Sequence, residues 1–539
     1  MGMILPIVTL LPLVGALLCL ALPQEEPELH RSTGFGASLL TFFASFLLLP
    51  GLDPAKMNHE VKWTWVESLG IHFHLGVDGI SIWLVMLTTF LLPIVFLSTR
   101  TAITNKVREF VIATLVLETG MLGAFLALDL FAFYVFWEVM LIPMYFIIGI
   151  WGGEKRLKAA IKFVIFTMVG SLLMLVAILY VVVKVQQVTG EWSFSLESAQ
   201  KLVLTKKEQV YLFLAFALAF CIKVPLFPLH TWLPLAHVEA PTAGSVILAS
   251  VLLKFGPYGL IRFAIPVFPH AVEVVAPWLA LLAVIGVVYG SCVAYAQDDV
   301  KKLIAYSSVA HMGFVVLGLA MMNSRSVNGA IYQCLAHGIS TGGLFLCVGV
   351  IYERRHTRKM AEFGGLWKRM PRFGATFLLF TLASVGLPGL SGFVGEFLVL
   401  LGTFSAKERG FGGVPLMSEH ARLLAVFAAT GVVLGAVYML GMFQRVMFGP
   451  LHNPQNRKLP DMNARETLVM LPMIAMAFWL GVFPNTFLKH IDPAVTRVLA
   501  SYKDKFAAGA AEQQARMLGE VDKAKPDSPP DSPTEGGPK

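Results

Sequence analysis

The sequence predicts an all-α protein that lies in a lipid bilayer and crosses it about fourteen times. Hydrophobic residues make up 56% of the 539 positions and charged residues only 14%, whereas a soluble globular chain is about a quarter charged. The apolar residues are grouped in runs of about 20, the length at which a helix spans the hydrocarbon core. Composition and run length together favour a helical membrane bundle over several soluble domains.

Fourteen apolar runs approach this length, and we number them as predicted helices 1 to 14. The first run is apolar from its start and lacks the basic segment of a signal peptide, so we interpret it as a span and not as a cleaved leader. The runs cover residues 3–22, 34–51, 77–99, 110–128, 130–150, 160–184, 209–229, 241–266, 274–296, 300–322, 328–352, 373–403, 421–448 and 468–487.

Most basic residues lie in the connections between these runs. The formal net charge is +8, and most lysines and arginines lie after predicted helices 3, 5, 9, 11 and 13. Because basic connections stay in the cytoplasm, the odd connections are expected there and both termini on the outer side. Basic patches interleaved with aromatic residues, as in a nucleic-acid groove, are not found, so no nucleic-acid partner is expected.

Four ionisable side chains stand near the middle of predicted helices, where a charge costs about 2.5–3.5 kcal/mol. They are Glu138, Lys223, Lys254 and Glu396. Function is the usual reason to keep such a residue, and a buried salt bridge that fixes helix register is the alternative. Glu118 is a fifth candidate, either a second carboxylate of the same path or a helix-packing residue.

Four histidines fall among the same apolar runs. Histidine titrates near neutral pH and can pass a proton between its ring nitrogens. A single membrane histidine is more often a hydrogen-bonding residue, but several beside lysines favour a proton relay. These candidates are His230, His237, His311 and His337.

Two predicted helices contain residues that should break them. Helix 7 has Pro225 and Pro228 just after Lys223, and helix 12 has Pro388 between glycines; a proline removes a backbone hydrogen bond and clashes with the preceding turn. The breaks lie five helices apart, which predicts two inverted five-helix repeats, helices 4–8 and 9–13. Broken helices at matching positions are a pointer to a transport site; two unrelated proline kinks are the alternative.

These repeats divide the chain into five predicted units. The last is rich in Lys, Glu, Asp, Pro and Gly, so we expect it to be a disordered tail. The units are residues 1–109 with helices 1–3, residues 110–266 and 267–450 with the two repeats, residues 451–500 with helix 14, and the tail at residues 501–539.

Several long stretches resemble the proton-translocating domain of the antiporter-like subunits of respiratory complex I. They are LGVDGIS, FYVFWEVMLIPMYF, IKVPLFPLHTWLPLAHVEAPTAGSVILASVLLKFGPYGL, DDVKKLIAYSSVAHMGF and LPGLSGFVGEF. The resemblance extends from Met1 to about Lys489. The M-type members, equivalent to mitochondrial subunit 4, are resembled most. Glu396 stands where the L and N types usually carry lysine, and no long amphipathic helix of the L type is expected after helix 14.

The resemblance implies a role for each candidate. Glu138 would pair with Lys223 and modulate it, Lys254 would be the central relay, and Glu396 would be the exit-side acceptor. The four histidines would line the hydrated path between them. Moving Glu138 away would let Lys223 release a proton towards Lys254, because burial disfavours a charged lysine and a nearby carboxylate favours it.

The resemblance also implies a setting. The chain would be a proton-translocating membrane subunit of NADH:quinone oxidoreductase in the bacterial inner membrane, driven by electron transfer from NADH to quinone in partner subunits. It would hold no cofactor or metal itself, since NADH, FMN, iron–sulfur clusters and quinone would belong to those partners. Its neighbours would be the lipid bilayer and membrane subunits of the L and N types.

Three other functions fit parts of the same pattern. A subunit of a multi-subunit sodium/proton antiporter or of a membrane-bound hydrogenase would share this domain. A self-contained solute transporter would have a substrate pocket at the breaks and fewer charges in line. A purely structural subunit would tolerate Lys223→Ala with pumping intact.

Overall fold

The computed structural model describes residues 3–406 and 415–517, and most of them are helical. The helices are α1 (Ile4–Ala21), α2 (Pro27–Ser45), α3 (Ser81–Thr99), α4 (Val107–Leu126), α5 (Leu130–Trp151), α6 (Arg156–Thr189), α7 (Leu196–Lys201), α8 (Lys206–Lys223), α9 (Leu233–Glu239), α10 (Thr242–Val267), α11 (Pro269–Tyr295), α12 (Val300–Met321), α13 (Ser324–Arg355), α14 (Pro371–Val385), α15 (Ser391–Phe404), α16 (Pro415–Met447), α17 (Ala464–Val482) and α18 (Asn485–Met517).

The prediction of a helical membrane bundle is confirmed. Within the described ranges, eleven helices are long and apolar enough to cross a bilayer. Predicted helices 2, 7 and 12 correspond to α2, α8 and the α14–α15 pair, which do not meet that criterion. Each predicted span therefore coincides with helical structure, while the number fourteen stays a prediction.

Both predicted helix breaks are present. The helix α8 ends at Lys223, and turns follow until α9 begins at Leu233. The helix α14 ends where Gly386 adopts a left-handed φ of 84°, and α15 begins at Ser391. Lys223 is therefore the last residue of a helix and not in its middle, because the prolines that follow end the helix there.

A β-hairpin adds to the predicted all-α fold. Strands β1 (Asn58–Val66) and β2 (Ile71–Val77) pair antiparallel, and the rings of Trp63 and Phe73 stack across the ladder at 5.6 Å. The Leu128 amide donates to the carbonyl of His74 at 2.9 Å. The hairpin is therefore joined to the α4–α5 connection.

The helix α18 differs from the expected tail. It is 33 residues long and continues to Met517, so the expectation of disorder from residue 501 is wrong as far as Met517. Lys505 donates to the carbonyl of Pro266 at 3.0 Å, and Tyr502 is 2% exposed. These contacts stabilise a helix that composition alone does not predict. Residues 518–539 lie outside the described residues.

Three central helices form the interior of the bundle. The most apolar segments of α10 and α13 are 100% buried within the protein and that of α12 is 94% buried. The corresponding segments of α16 and α17 are only 33% buried. Two irregular stretches interrupt α10, a 3₁₀ turn at Leu252–Lys254 and a π segment at Leu260–Ala264. Such segments often mark functional positions in helices. Ionisable side chains within the apolar segments of α10, α12 and α13 are thus held away from lipid.

Candidate functional site

Lys254 lies at the centre of the bundle and is hydrogen-bonded to a histidine. Its side chain is 0% exposed, and its Nζ donates to the carbonyl of Ala249 at 2.5 Å. The same Nζ lies 2.7 Å from Nδ1 of His337 on α13. A lysine ammonium only donates, so Nδ1 accepts and the imidazole proton is assigned to Nε2. Lys254 and His337 thus form a direct proton-transfer contact.

Small residues bring α10 and α13 close enough for this contact. Ser250 donates to the carbonyl of Gly338 at 2.7 Å. A Cβ atom on Gly338 would lie 3.0 Å from the carbonyl of Ser250, and one on Gly342 would lie 2.6 Å from the Ser250 hydroxyl. Glycine is needed where two backbones approach this closely. The 3₁₀ turn then directs Lys254 towards α13.

His311 and Glu396 form the second half of the site. Nδ1 of His311 on α12 lies 2.7 Å from Oε1 of Glu396 on α15, and Nε2 lies 3.1 Å from the hydroxyl of Ser384. Gln333 donates to the same carboxylate oxygen at 2.9 Å. The histidine and the glutamate are therefore oriented by neighbours that do not themselves titrate near neutral pH.

The two halves meet at the histidine rings. The ring centroids of His311 and His337 are 5.7 Å apart. Lys254, His337, His311 and Glu396 thus follow one another, with exposures of 0%, 1%, 7% and 4%. We call this series the Lys254–Glu396 run. Each member can accept and release a proton, so the arrangement is suited to moving protons in a water-poor interior.

Lys223 and Glu138 do not form the expected ion pair. Within the described residues, no carboxylate oxygen lies within 4 Å of Nζ of Lys223, and that atom has no hydrogen-bond partner. The residue is nevertheless only 1% exposed. The ammonium lies over the rings of Trp137 and Phe163, 5.1 and 5.7 Å from their centroids. Glu138 is half-buried and acts on Lys223 through space. Cation–π contact thus takes the place of the expected pairing.

The end of α8 lies directly against α10. A Cβ atom on Gly256 would be 2.5 Å from the carbonyl of Phe220 and 2.9 Å from the amide nitrogen of Val224. Gly256 follows Lys254 by two positions, and Val224 follows Lys223. The two lysines are therefore carried by chain segments in backbone contact, although no direct bond joins their side chains.

The remaining predicted residues occupy separate places. His237 is 0% exposed and stacks on the ring of Phe345 at 4.7 Å. His230 lies against aromatic rings, 5.4 Å from that of Tyr289. Glu118 is 0% exposed, and neither carboxylate oxygen has a hydrogen-bond partner in the described part of the chain. Neither His230 nor Glu118 has a direct bond to the Lys254–Glu396 run.

A buried ion cluster was missed by sequence reasoning. Arg262 lies in the π segment of α10, and its Nη2 is 2.5 Å from Oδ1 of Asp78. Arg497 on α18 is 2.9 Å from the other oxygen of Asp78. Burial alone would raise the pKa of Asp78, but the two arginines hold that pKa below its usual value. Arg262 is charged inside predicted helix 8, the same signal that identified Lys254.

The described residues contain no metal-binding cluster. Among residues 3–406 and 415–517, no group of three or more His, Cys, Asp and Glu side chains is placed to hold a metal ion. The polar partners of the run are instead a serine and a glutamine, which position the titrating groups.

Comparison with known proteins agrees with this geometry. The family model described as "NADH:quinone oxidoreductase/Mrp antiporter, TM" matches residues 127–412, which include every residue of the Lys254–Glu396 run. The chain belongs to this family. The family resemblance expected from the sequence is thereby confirmed.

Relatives within the family cover nearly the whole chain. NADH-quinone oxidoreductase subunit M of Rhodobacter capsulatus is 46% identical over 510 residues, covering 93% of this chain and 97% of the relative. NADH-ubiquinone oxidoreductase chain 4 of Marchantia polymorpha is 42% identical over 493 residues, covering 91% and 96%.

Solved structures share the same fold. Respiratory complex I from Thermus thermophilus with bound NADH contains a chain that is 34% identical, with a TM-score of 0.82 and coverage of 92% of this chain and 99% of that chain. A chain of the Mrp complex from Dietzia is 17% identical, with a TM-score of 0.79 and coverage of 93% and 99%. At that identity the Mrp likeness shows the fold alone.

Proposed function

We propose that this chain is the M-type antiporter-like subunit of NADH:quinone oxidoreductase and translocates protons across the membrane. The observation that carries the proposal is the Lys254–Glu396 run, in which two contacts of 2.7 Å join a lysine, two histidines and a glutamate. The run lies among the most buried helices of the protein. Buried titratable groups in a line are the usual composition of a proton path.

In this mechanism Lys254 receives a proton and passes it to His337 across their hydrogen bond. Water between the rings carries it from His337 to His311, since Nε2 of His337 makes no hydrogen bond within the described residues. His311 then protonates Glu396, the exit-side acceptor. Ser384 and Gln333 hold the last two groups in transfer geometry.

Lys223 and Glu138 control the charge next to Lys254. The structure describes the arrangement in which the ammonium and the carboxylate are apart, and forming their ion pair would favour charged Lys223. Moving a proton against roughly 150–200 mV costs about 3.5–4.6 kcal/mol. Removing one partner of a buried ion pair costs about 3–5 kcal/mol, so one buried pair is sufficient to move one proton.

The driving energy comes from partner subunits in this proposal. NADH oxidation, FMN, iron–sulfur clusters and quinone reduction belong to those partners, and neighbouring membrane subunits of the L and N types flank this chain. The chain lies in the bacterial inner membrane, with its basic connections in the cytoplasm and both termini outside. Residues 110–266 and 267–450 are the two inverted repeats.

A sodium/proton antiporter or a membrane-bound hydrogenase subunit is less favoured. The relatives that are 34–46% identical are named as complex I or its subunits, whereas the Mrp complex is matched at 17% identity. Co-purification with NADH-oxidising partners separates these alternatives.

Proton pumping by the reconstituted complex tests the proposal. Glu138→Ala, Lys223→Ala and Lys254→Met are expected to lose NADH-driven acidification of proteoliposomes, while the exposed control Lys158→Ala retains it. Assembly of each complex is checked by its subunit content. Near-normal pumping by all three assembled variants would contradict a relay through these residues.

A further inference from the structure

Lys301 is buried, although the sequence places it among the basic residues of the connection after predicted helix 9. It lies in the first turn of α12 and is 5% exposed, whereas its neighbour Lys302 is exposed. Its Nζ donates to the carbonyl of Ala240 at 2.5 Å. A cation in the first turn of a helix is opposed by the helix dipole. The chain therefore holds this lysine where its own helix does not favour the charge.

His237 is a buried residue of α9, the helix whose carbonyl end Lys301 contacts. It precedes Ala240, whose carbonyl accepts from Nζ of Lys301, by three residues. Lys301 and Lys254 are the two cations that act electrostatically on its ring. Neither ring nitrogen has a hydrogen-bond partner within the described residues. A fully buried imidazole with both nitrogens available, and with two lysines within electrostatic reach, is suited to pass a proton between them.

Lys301 has charged side chains of both signs near it. Arg358, Asp299 and Glu239 are the charges that act on it. Arg358 donates to the carbonyl of Val238 at 2.5 Å and lies 3.2 Å from the Asp299 carboxylate. The side chain of Asp299 is 23% exposed, so water reaches its carboxylate. Lys301 is thus a buried member of a charged cluster that is partly exposed to solvent.

The aromatic surroundings of Lys223 differ from this arrangement. Lys223 lies over Trp137 and Phe163 and has no hydrogen-bond partner in the described ranges. Lys301 and His237 instead provide nitrogen atoms that can take up and release a proton. A proton needs such groups or water, and an aromatic layer provides neither.

We propose that Lys301 and His237 are the entrance through which Lys254 is loaded with protons, while Lys223 controls Lys254 by its charge. This inference rests on the proposed function and adds the supply route to it. At each step one N–H bond breaks and another forms: Lys301 takes a proton from water at the Asp299 carboxylate, His237 takes it from Lys301, and Lys254 takes it from His237. The ring of His237 releases its opposite proton and then returns to its starting tautomer.

The alternative is that Lys301 only caps the carbonyl end of α9. Substitution by arginine distinguishes the two roles, because a guanidinium can still donate to the carbonyl of Ala240 but does not release its proton. A cap is therefore retained in Lys301→Arg, whereas a relay is lost. Lys302→Gln is the matched control, one residue away and exposed.

The experiment measures NADH-driven proton pumping by the intact complex in proteoliposomes. Lys301→Arg and Lys301→Gln are expected to lower pumping about 100-fold, the low end of what a positioned proton-transfer group contributes, and Lys302→Gln is expected to pump normally. Normal pumping by Lys301→Arg would overturn the proposal and leave the capping role.

Two further variants keep the test decisive. If Lys301→Arg does not assemble, His237→Phe retains the stack on Phe345 without the ring nitrogens, and normal pumping by that variant would overturn the entrance. Lys254→Met separates the two proposals. A Lys254→Met complex that cannot pump, beside Lys301 and His237 variants that can, refutes the entrance alone, whereas a Lys254→Met complex that pumps normally refutes the proposed function itself.

Discussion

His337 joins the two halves of the proton path, and its substitution by leucine is the most informative perturbation. The change removes the acceptor 2.7 Å from Nζ of Lys254 and leaves that ammonium hydrogen-bonded to the carbonyl of Ala249. A hydrogen bond to a charged group contributes about 1.5–3 kcal/mol. Since each 1.36 kcal/mol is a factor of ten, the protonated state of Lys254 would be disfavoured about 10- to 150-fold.

The assay compares NADH oxidation and proton pumping by the same reconstituted complexes. We expect His337→Leu to lower pumping by at least about tenfold, because both the acceptor and the next proton carrier are lost. His452→Leu removes an exposed histidine and is the control, with pumping unchanged. A His337→Leu complex that assembles and pumps within about twofold of the parent complex would refute the reasoning.

Three other substitutions test separate contacts. Gly256→Val should destabilise the chain by about 1–3 kcal/mol and lower its yield in the complex, since a Cβ atom there would be 2.5 Å from the carbonyl of Phe220; a normal melting temperature would contradict this. Arg262→Met should destabilise the chain by about 3–5 kcal/mol, because the fully buried Asp78 loses its shorter ion pair. Thermal inactivation measures this, and equal stability of the variant and the parent complex would argue against the ion cluster. Glu118→Gln should leave pumping within about twofold, because no hydrogen bond in the described residues joins that carboxylate to the run; a large loss would place it in the path.

Much of the fold could be predicted because membrane insertion is read from local composition. Apolar runs located the helices, and the prolines after Lys223 and around Pro388 located both breaks. The hairpin was missed because its strands, 9 and 7 residues long, are far below the length of the apolar runs that located the helices. The helix α18 was missed because its stability depends on distant partners, such as the carbonyl of Pro266 for Lys505.

The candidate site was predicted in part. The cost of burying charge identified Lys254 and Glu396 without a structure, and both lie within the run. The same criterion applies to Arg262, which was overlooked although it lies inside predicted helix 8. Lys301 was read as a loop base because its sequence position alone does not reveal its burial.

The amino-acid sequence by itself determined that this chain is a membrane bundle with ionisable groups in its interior, because the free energy of moving a side chain into lipid depends on the side chain itself. Only the tertiary structure decided which of these groups meet. Lys254 and His337 are 83 residues apart, and His311 and Glu396 are 85 apart, while Lys223 lies against aromatic rings instead of Glu138. The physical reason is that a proton moves only over hydrogen-bond distances, and those distances are set by how the helices pack and by where glycine allows two backbones to touch.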